Sequence, residues 1–305
     1  MTITVLSLSG GKDSTAAALW LREQGIPHVR LFMDTGWEHA SLYEHLDYLE
    51  AELGPIVRIR SDIGVPDGYA DEVAELEARL GRPSPMVRWA VKKAMFPSRV
   101  RRWCTQELKV RPFLRWVDEQ DCEVLNIVGI RAEESAARNG LPEREPMAGA
   151  EHVEVWRPLI NWTEQDVIDI HTRHSVRPCR LYLEGASRVG CWPCIMARKS
   201  ELRMLGDDDV RVSIIRDLEV LIWRAVKDRE RVHNHPPAFY QSRAPNAEGV
   251  YPSVPIDKVL EWSRTGTGGR QFELFAASSR EAGCARWGLC DMDQGSTRQG
   301  HRRRK

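Results

Sequence analysis

No stretch of the 305 residues approaches the ~20 consecutive apolar side chains of a membrane-spanning helix, and charge of neither sign is in excess, 44 Lys and Arg standing against 44 Asp and Glu. The first absence excludes a bundle of membrane helices. The second removes global charge as an argument for or against a polyanionic partner. Met1 to Gly10 reads as a strand rather than a signal peptide, so a cytoplasmic protein with no membrane contact is expected. There is no internal repeat. Seven cysteines, an odd number, do not suit a disulfide framework and point to metal or redox use. Two common phosphate-binding loops are missing as well. Lys12 is followed by Asp13 where a Walker A loop needs Ser or Thr, and the adjacent Gly10 and Gly11 break the dinucleotide pattern G-x-G-x-x-G.

What stands in their place is "VLSLSGGKDSTAAALWL", residues 5–21. Ile3, Val5, Leu6 and Leu8 suit a buried strand, Ala16 to Leu21 suit a helix, and S-G-G-K-D-S forms the turn between them. Gly10 and Gly11 let the backbone come close to a ligand, and the helix N-terminus favours a phosphate or sulfate. Each such helix-end interaction contributes about 0.3–1 kcal/mol, so a firm grip needs several N–H donors together with Lys12.

Further along, residues 28–34, 56–62 and 123–130 read as strands, and residues 41–54 and the stretches around Asp71–Leu80 and Met86–Met95 as helices. Strands alternating with helices predict an α/β fold, a Rossmann-like open and mostly parallel sheet flanked by helices. The loops after residues 8, 34 and 130 should then converge on one rim. Thr163 is a fitting N-cap for a helix, residues 198–232 are mostly helical, and a last helix over 256–263 leads into a tail with two cysteines. The expected organisation is a nucleotide-binding α/β domain over 1–200, a helical C-terminal region with the Cys tail over 201–295, and a basic, disordered tail over 296–305.

Six separated stretches, "LSGGKDSTA", "FMDTGWEH", "RRWCTQELKVRP", "GIRAEESAAR", "WRPLINWTEQDV" and "GASRVGCWPC", stand in the order and rough spacing of the phosphoadenosine phosphosulfate reductase family, within the PP-loop ATP pyrophosphatase (adenine nucleotide alpha hydrolase) superfamily. The chain resembles that family over about residues 1–200, and within it the ATP pyrophosphatases of DNA phosphorothioation. The resemblance implies that Ser9, Gly10, Gly11, Lys12, Asp13 and Ser14 cradle phosphate, that Asp34, Thr35 and Gly36 flank the nucleotide, and that Arg131, Glu134 and Arg138 line the same rim. Chemistry fits: Asp13 could hold Mg²⁺ against the phosphates of ATP, while Lys12, Arg131 and Arg138 could neutralise the leaving pyrophosphate. The plainer alternatives are that Arg131 and Arg138 pair with Glu133 and Glu134, and that Asp34 is a turn or capping aspartate.

Cys191 and Cys194 form C-x-x-C and Cys284 and Cys290 form C-x5-C, two close pairs of the kind a four-thiolate site uses, for an iron–sulfur centre or zinc alike. A thioredoxin reading of "CWPC" lacks the strand-to-helix context. Relatives that reduce adenylylsulfate carry a [4Fe–4S] cluster on a Cys-Cys pair plus a C-x-x-C, and this resemblance tips the choice to iron–sulfur, with zinc as the alternative. "RRWCTQE" offers only Cys104 where the pair would lie, so Cys104 is either a functional neighbour of the centre or a replacement for one tail cysteine. Cys122 and Cys179 read as incidental or buried thiols, and His233 and His235 as loop histidines.

The residues expected to carry catalysis are Lys12, Asp13, Ser14, Arg131 and Cys104. The favoured function is cleavage of ATP to AMP and pyrophosphate, activating an acceptor, DNA or RNA, for iron–sulfur- or persulfide-dependent sulfur transfer, with a cysteine desulfurase as sulfur source and a homodimer as the assembly. Two alternatives stay open: an adenylylsulfate or phosphoadenylylsulfate reductase, against which the absent Glu-Cys-Gly-(Leu or Ile)-His tail weighs, and a non-catalytic nucleotide-binding subunit. The basic run from Arg88 to Arg115, with Lys92, Lys93, Arg99, Arg101, Arg102, Lys109 and Arg111 against Glu107, together with the Arg302–Lys305 tail, holds more cations than one nucleotide uses and suggests a longer polyanion.

Overall fold

The computed structural model describes residues 2–230, 236–242, 245–247, 249–266 and 287. Cys284, Cys290, His233, His235 and the tail over 296–305 lie outside the described residues. Strand β1 (Thr2–Ser7), helix α1 (Lys12–Glu23), β2 (Val29–Asp34), α2 (Ala40–Leu53) and β3 (Ile56–Arg60) follow as expected. Helices α3 (Ala70–Leu80) and α4 (Pro85–Lys93) come next. Then one continuous helical rod forms from α5 (Trp103–Thr105), a π turn (Gln106–Val110) and α6 (Arg111–Asp118). β4 (Glu123–Val128) enters the sheet, followed by a hairpin of β5 (Arg144–Met147) and β6 (Ala150–Trp156). Helices α7 (Glu164–Arg173), α8 (Arg180–Leu183), α9 (Lys199–Leu205) and α10 (Asp209–Lys227), a two-stranded ribbon of β7 (Tyr240–Gln241) and β8 (Ser253–Val254), and α11 (Ile256–Ser263) complete the described chain.

The six-stranded sheet has the order β3-β2-β1-β4-β6-β5, parallel except for the edge strand β5, which runs antiparallel to β6. β1 is covered on both faces, which explains its consecutive apolar residues: Leu6 packs with Ala16, Leu19, Leu42, Leu46 and Ile170, while Val5 turns to Phe113 and Val117 of α6. The strand order reverses direction between β1 and β4. In open α/β sheets the crevice beyond the strand ends at such a point is where ligands sit, and both S-G-G-K-D-S and the loop after β4 open there.

Helices beyond residue 200 share one hydrophobic cluster with earlier ones: Ile215, Leu218 and Ile222 of α10 pack with Val73, Val87 and Val91 of α3 and α4, and with Trp37. Glu219 of α10 reaches the other way, accepting hydrogen bonds from the Phe239 and Ile256 N–H groups, each at 3.1 Å. Burial pushes its carboxyl from 4.5 up to about 7 against those two donors. The folded state therefore holds a proton that the unfolded chain has released between these two pH values, and this contribution, about 3 kcal/mol at most, is present in full below pH 4.5 and lost by about pH 7. Urea unfolding of the wild type and Glu219→Gln across that window should show the variant gaining on the wild type as pH rises. A pH-independent difference would show that Glu219 does not titrate there.

Candidate active site and thiol cluster

The turn between β1 and α1 is braced by its own serines. Ser14 Oγ accepts from the Ser9 N–H (3.1 Å) and donates to the Gly11 carbonyl (3.0 Å), and Ser9 Oγ lies 3.1 Å from Ser14 Oγ. Gly10 has φ +73°, and a Cβ there would stand 2.6 Å from Leu42 Cδ1, so the position needs glycine both for its dihedral and for its room. The Lys12 N–H donates to the hydroxyl of Tyr182 (3.1 Å), whose ring lies 5.3 Å from the Lys12 ammonium. His171 is wedged between carbonyls, Nε2 at 2.9 Å from Lys12 O and Nδ1 at 3.0 Å from Val176 O. Burial pushes this imidazole below its ordinary range despite those carbonyls.

Charge is concentrated at the same spot. Lys12 is buried, with Nζ 3.5 Å from Asp13 Oδ2 and 3.4 Å from Glu164 Oε1. Arg131, 3% exposed, reaches from the loop after β4 to donate from Nε to Asp13 Oδ1 at 2.5 Å, and from a terminal nitrogen to Glu133 at 2.6 Å. Glu134 accepts from the Arg131 N–H at 3.0 Å and pairs with Arg138. So Arg131 and Asp13 meet, while Glu134 and Arg138 form a pair of their own beside them. The pairing with Glu133 and Glu134 that the sequence left open is present, with Arg131 buried and Arg138 partly exposed. Gly129 packs directly against the phosphate loop: a Cβ there would stand 2.5 Å from the Asp13 carbonyl oxygen and 2.8 Å from Ser14 Cα.

The loop after β2 is organised by buried carboxylates. Asp34 accepts from the Gly36 N–H (2.9 Å), the Tyr43 hydroxyl (2.7 Å) and Arg60 Nε (2.7 Å), the pattern of a turn aspartate. Thr35 donates to Glu38 at 2.7 Å, and Glu38 also accepts from Tyr43 at 2.9 Å. Burial, then the charges of Glu38 and Asp34, hold the Tyr43 phenol above its usual range.

This loop is stitched to the C-x-x-C segment. Glu38 and Cys191 form a β-bridge, the Trp192 N–H donates to Trp37 O (2.9 Å), and Trp37 Nε1 donates to Pro193 O (3.2 Å). Cys191 Sγ lies 3.7 Å from Thr35 Oγ1 and 3.9 Å from Glu38 Oε1. The Met196 N–H donates to Cys194 Sγ at 3.4 Å, and the Tyr240 hydroxyl donates to Cys194 O at 3.2 Å.

Cys104, at the start of the helical rod, comes close enough to feel the charge of Cys194. In the π turn the Arg111 N–H reaches back five residues to Gln106 O, a widening that precedes Pro112 and is often found at functional sites. Lys109, on this turn, faces the thiols: the Cys191 charge above all, then those of Glu38, Cys194 and Cys104, raise its ammonium against the opposing effect of burial. Burial pushes Cys191 up to about 12, with Lys109 acting against it, and Cys104 is raised by burial and then by Cys194. Among the described residues no three His, Cys, Asp or Glu side chains gather as a site for a single metal ion. Cys179 is buried and pushed up to about 11 by burial, and Cys122 lies just before β4, at the other end of the sheet.

The basic run is corrected in part. Glu77 takes Arg88, Glu107 takes both Lys93 and Arg111, and Asp62 takes Arg115. With Lys109 among the thiols, the exposed cations of this stretch without an ion pair among the described residues reduce to Lys92, Arg99, Arg101 and Arg102. The sequence reading did not single out Gly129, Glu164, His171, Tyr182 or Glu38. Only Gly129 carried a signal, as the residue between an apolar strand and the "IRAEE" turn.

The family model of the phosphoadenosine phosphosulfate reductase domain matches residues 3–197. An uncharacterized 37.8 kDa protein of Escherichia phage 186 is 33% identical, over 93% of this chain and 95% of its own. The adenosine 5'-phosphosulfate reductase of Allochromatium vinosum is 28% identical, over 63% of this chain and 68% of its own. Among solved structures, the phosphoadenylyl-sulfate reductase from Candida auris in complex with phosphate aligns at a TM-score of 0.46 and 19% identity, covering 63% of this chain and 82% of that one.

Proposed function

This chain belongs to the phosphoadenosine phosphosulfate reductase domain family, and from that premise we propose that it cleaves ATP between the α and β phosphates, releasing pyrophosphate, to activate an acceptor for sulfur delivered from the Cys191 and Cys194 segment. The observation that carries the reading is the stitching of the C-x-x-C segment onto the Thr35–Glu38 loop, which places thiols at the end of the strand beside the phosphate loop. Lys12 and Arg131 supply positive charge where pyrophosphate leaves, and the Asp13 oxygen not bonded to Arg131 suits Mg²⁺, which takes one or two carboxylates alongside phosphate oxygens and water. The acceptor's oxygen attacks the α-phosphorus and pyrophosphate departs; sulfide then bonds to the acceptor atom that carries this oxygen as the bond between them breaks, and AMP leaves with the oxygen.

An iron–sulfur centre takes cysteine sulfur donors alone, and Cys191 and Cys194, with Cys104 or the tail cysteines, would hold it; bound there, it would supply sulfide or electrons. The resemblance to the Allochromatium vinosum reductase favours a second reading, reduction of adenylylsulfate.

One set of assays separates them. Anaerobically purified protein with Mg²⁺ and ATP should release AMP and pyrophosphate, and should carry about four irons that Cys191→Ser loses and Cys122→Ser keeps. ADP as the main product would overturn the first reading, and sulfite release from adenylylsulfate with a thiol donor would establish the second.

A further inference from the structure

A cavity of about 800 Å³ opens beside the residues that follow the C-x-x-C segment. Its walls are the loop after α4, the residues just after Cys194, the β7–β8 ribbon and α11. Three features of the lining agree on one kind of ligand. The first is aromatic surface: Tyr240, Trp262 and Tyr251, the last 51% exposed and so open to stacking. The second is charge: Arg99, Arg198 and Lys258 line the cavity, and no carboxylate is among its described lining residues. Lys258 is paired with Glu261, but Arg99 and Arg198 are exposed and form no ion pair among the described residues. The third is position: Tyr240, one of the lining residues, donates from its hydroxyl to the Cys194 carbonyl.

Aromatic faces combined with unpaired arginines are how proteins hold unstacked bases and the phosphates beside them. The volume suits a nucleotide-sized group and is too small to enclose a stacked duplex. Arg101 and Arg102, exposed on the same loop as Arg99, extend positive charge beyond the cavity, where the neighbouring phosphates of a strand would run. We propose that the cavity receives an unstacked base of a single-stranded nucleic acid, with its flanking phosphates on Arg99 and Arg198, and so presents the acceptor beside Cys194. This inference rests on the sulfur-transfer reading.

The test uses the full chain and a fluorescein-labelled single-stranded oligonucleotide of about a dozen residues, DNA and RNA in turn, followed by anisotropy from about 50 to about 200 mM salt. Binding should weaken with salt. Tyr251→Ala should lower affinity about tenfold, as loss of one stacked base does, and Arg99→Ala and Arg198→Ala should each reduce the salt slope by about 0.7. All three variants should melt at the wild-type temperature, which shows that they fold. Binding that the three substitutions leave unchanged, or no binding at about 50 mM salt, would overturn the proposal. Free mononucleotides competing as well as the strand would show that the occupant is a small nucleotide, and preference for duplex that the occupant is not an unstacked base; either overturns it. Pyrophosphate release is read separately, so its absence would count against the proposed activity even where the strand binds as described.

Discussion

Gly129→Ala is expected to lower pyrophosphate release about a hundredfold while the protein still folds. The added methyl carbon would stand 2.5 Å from the Asp13 carbonyl oxygen, 2.7 Å from its carbon and 2.8 Å from Ser14 Cα, all of them backbone that cannot rotate away. Relief requires the start of α1 to move by about an ångström, and displacement on that scale is enough to cost two orders of magnitude where reacting groups must be aligned. The accompanying loss of stability should be about 1–3 kcal/mol, the usual penalty for overpacking. Gly140→Ala is the control, because nothing lies within 4 Å of a Cβ there. Turnover assays and thermal melts of the two variants measure the effect. Equal turnover in both would show that the contact between the two loops has no part in positioning the phosphate site.

Asp13→Ala should reduce turnover about a thousandfold and also destabilise the fold. Two consequences are joined here. The variant removes the carboxylate assigned to Mg²⁺, and it leaves Arg131, buried and bonded to Asp13 at 2.5 Å, with Glu133 as its remaining carboxylate partner. Breaking a buried ion pair from one side typically costs about 3–5 kcal/mol, because the surviving charge has lost its compensation. Asp13→Asn separates the two: its amide oxygen can still accept from Arg131 Nε, so it should recover much of the melting temperature and little of the turnover. An asparagine variant as active as wild type would remove Asp13 from metal binding.

The alternating elements as far as β4 were legible because each buried strand is a short apolar run and each helix has an amphipathic repeat between turn residues. Thr163 announced α7, and its hydroxyl does accept from the Asp166 N–H at 3.2 Å. The β5–β6 hairpin was not read. Its edge strand carries Arg144, Glu145 and Pro146, polar and ring-closed residues that a sheet tolerates only at its margin, so no apolar run marked it. The helical rod from Trp103 was obscured by Pro112, which the π turn accommodates. In the site, the phosphate loop was plain because its residues are consecutive. Lys109 was counted as one more basic residue, since nothing local says that Cys191, some eighty positions on, will come to face it. Pairing hid the same way: Glu77 and Asp62 neutralise Arg88 and Arg115 from other elements, which a tally over one segment cannot register.

The bridge between Glu38 and Cys191, with the two tryptophan contacts on either side of it, has a thermodynamic corollary. Two binding events that each steady the same support are coupled, and linkage makes their influence mutual. If nucleotide settles against Thr35 and steadies this support, the affinity of the cysteines for whatever they hold rises by some factor, and a loaded cysteine site must raise nucleotide affinity by that same factor. On the proposed function, an empty cysteine site would then bind ATP less tightly than a loaded one, which would limit ATP consumption when no sulfur is at hand.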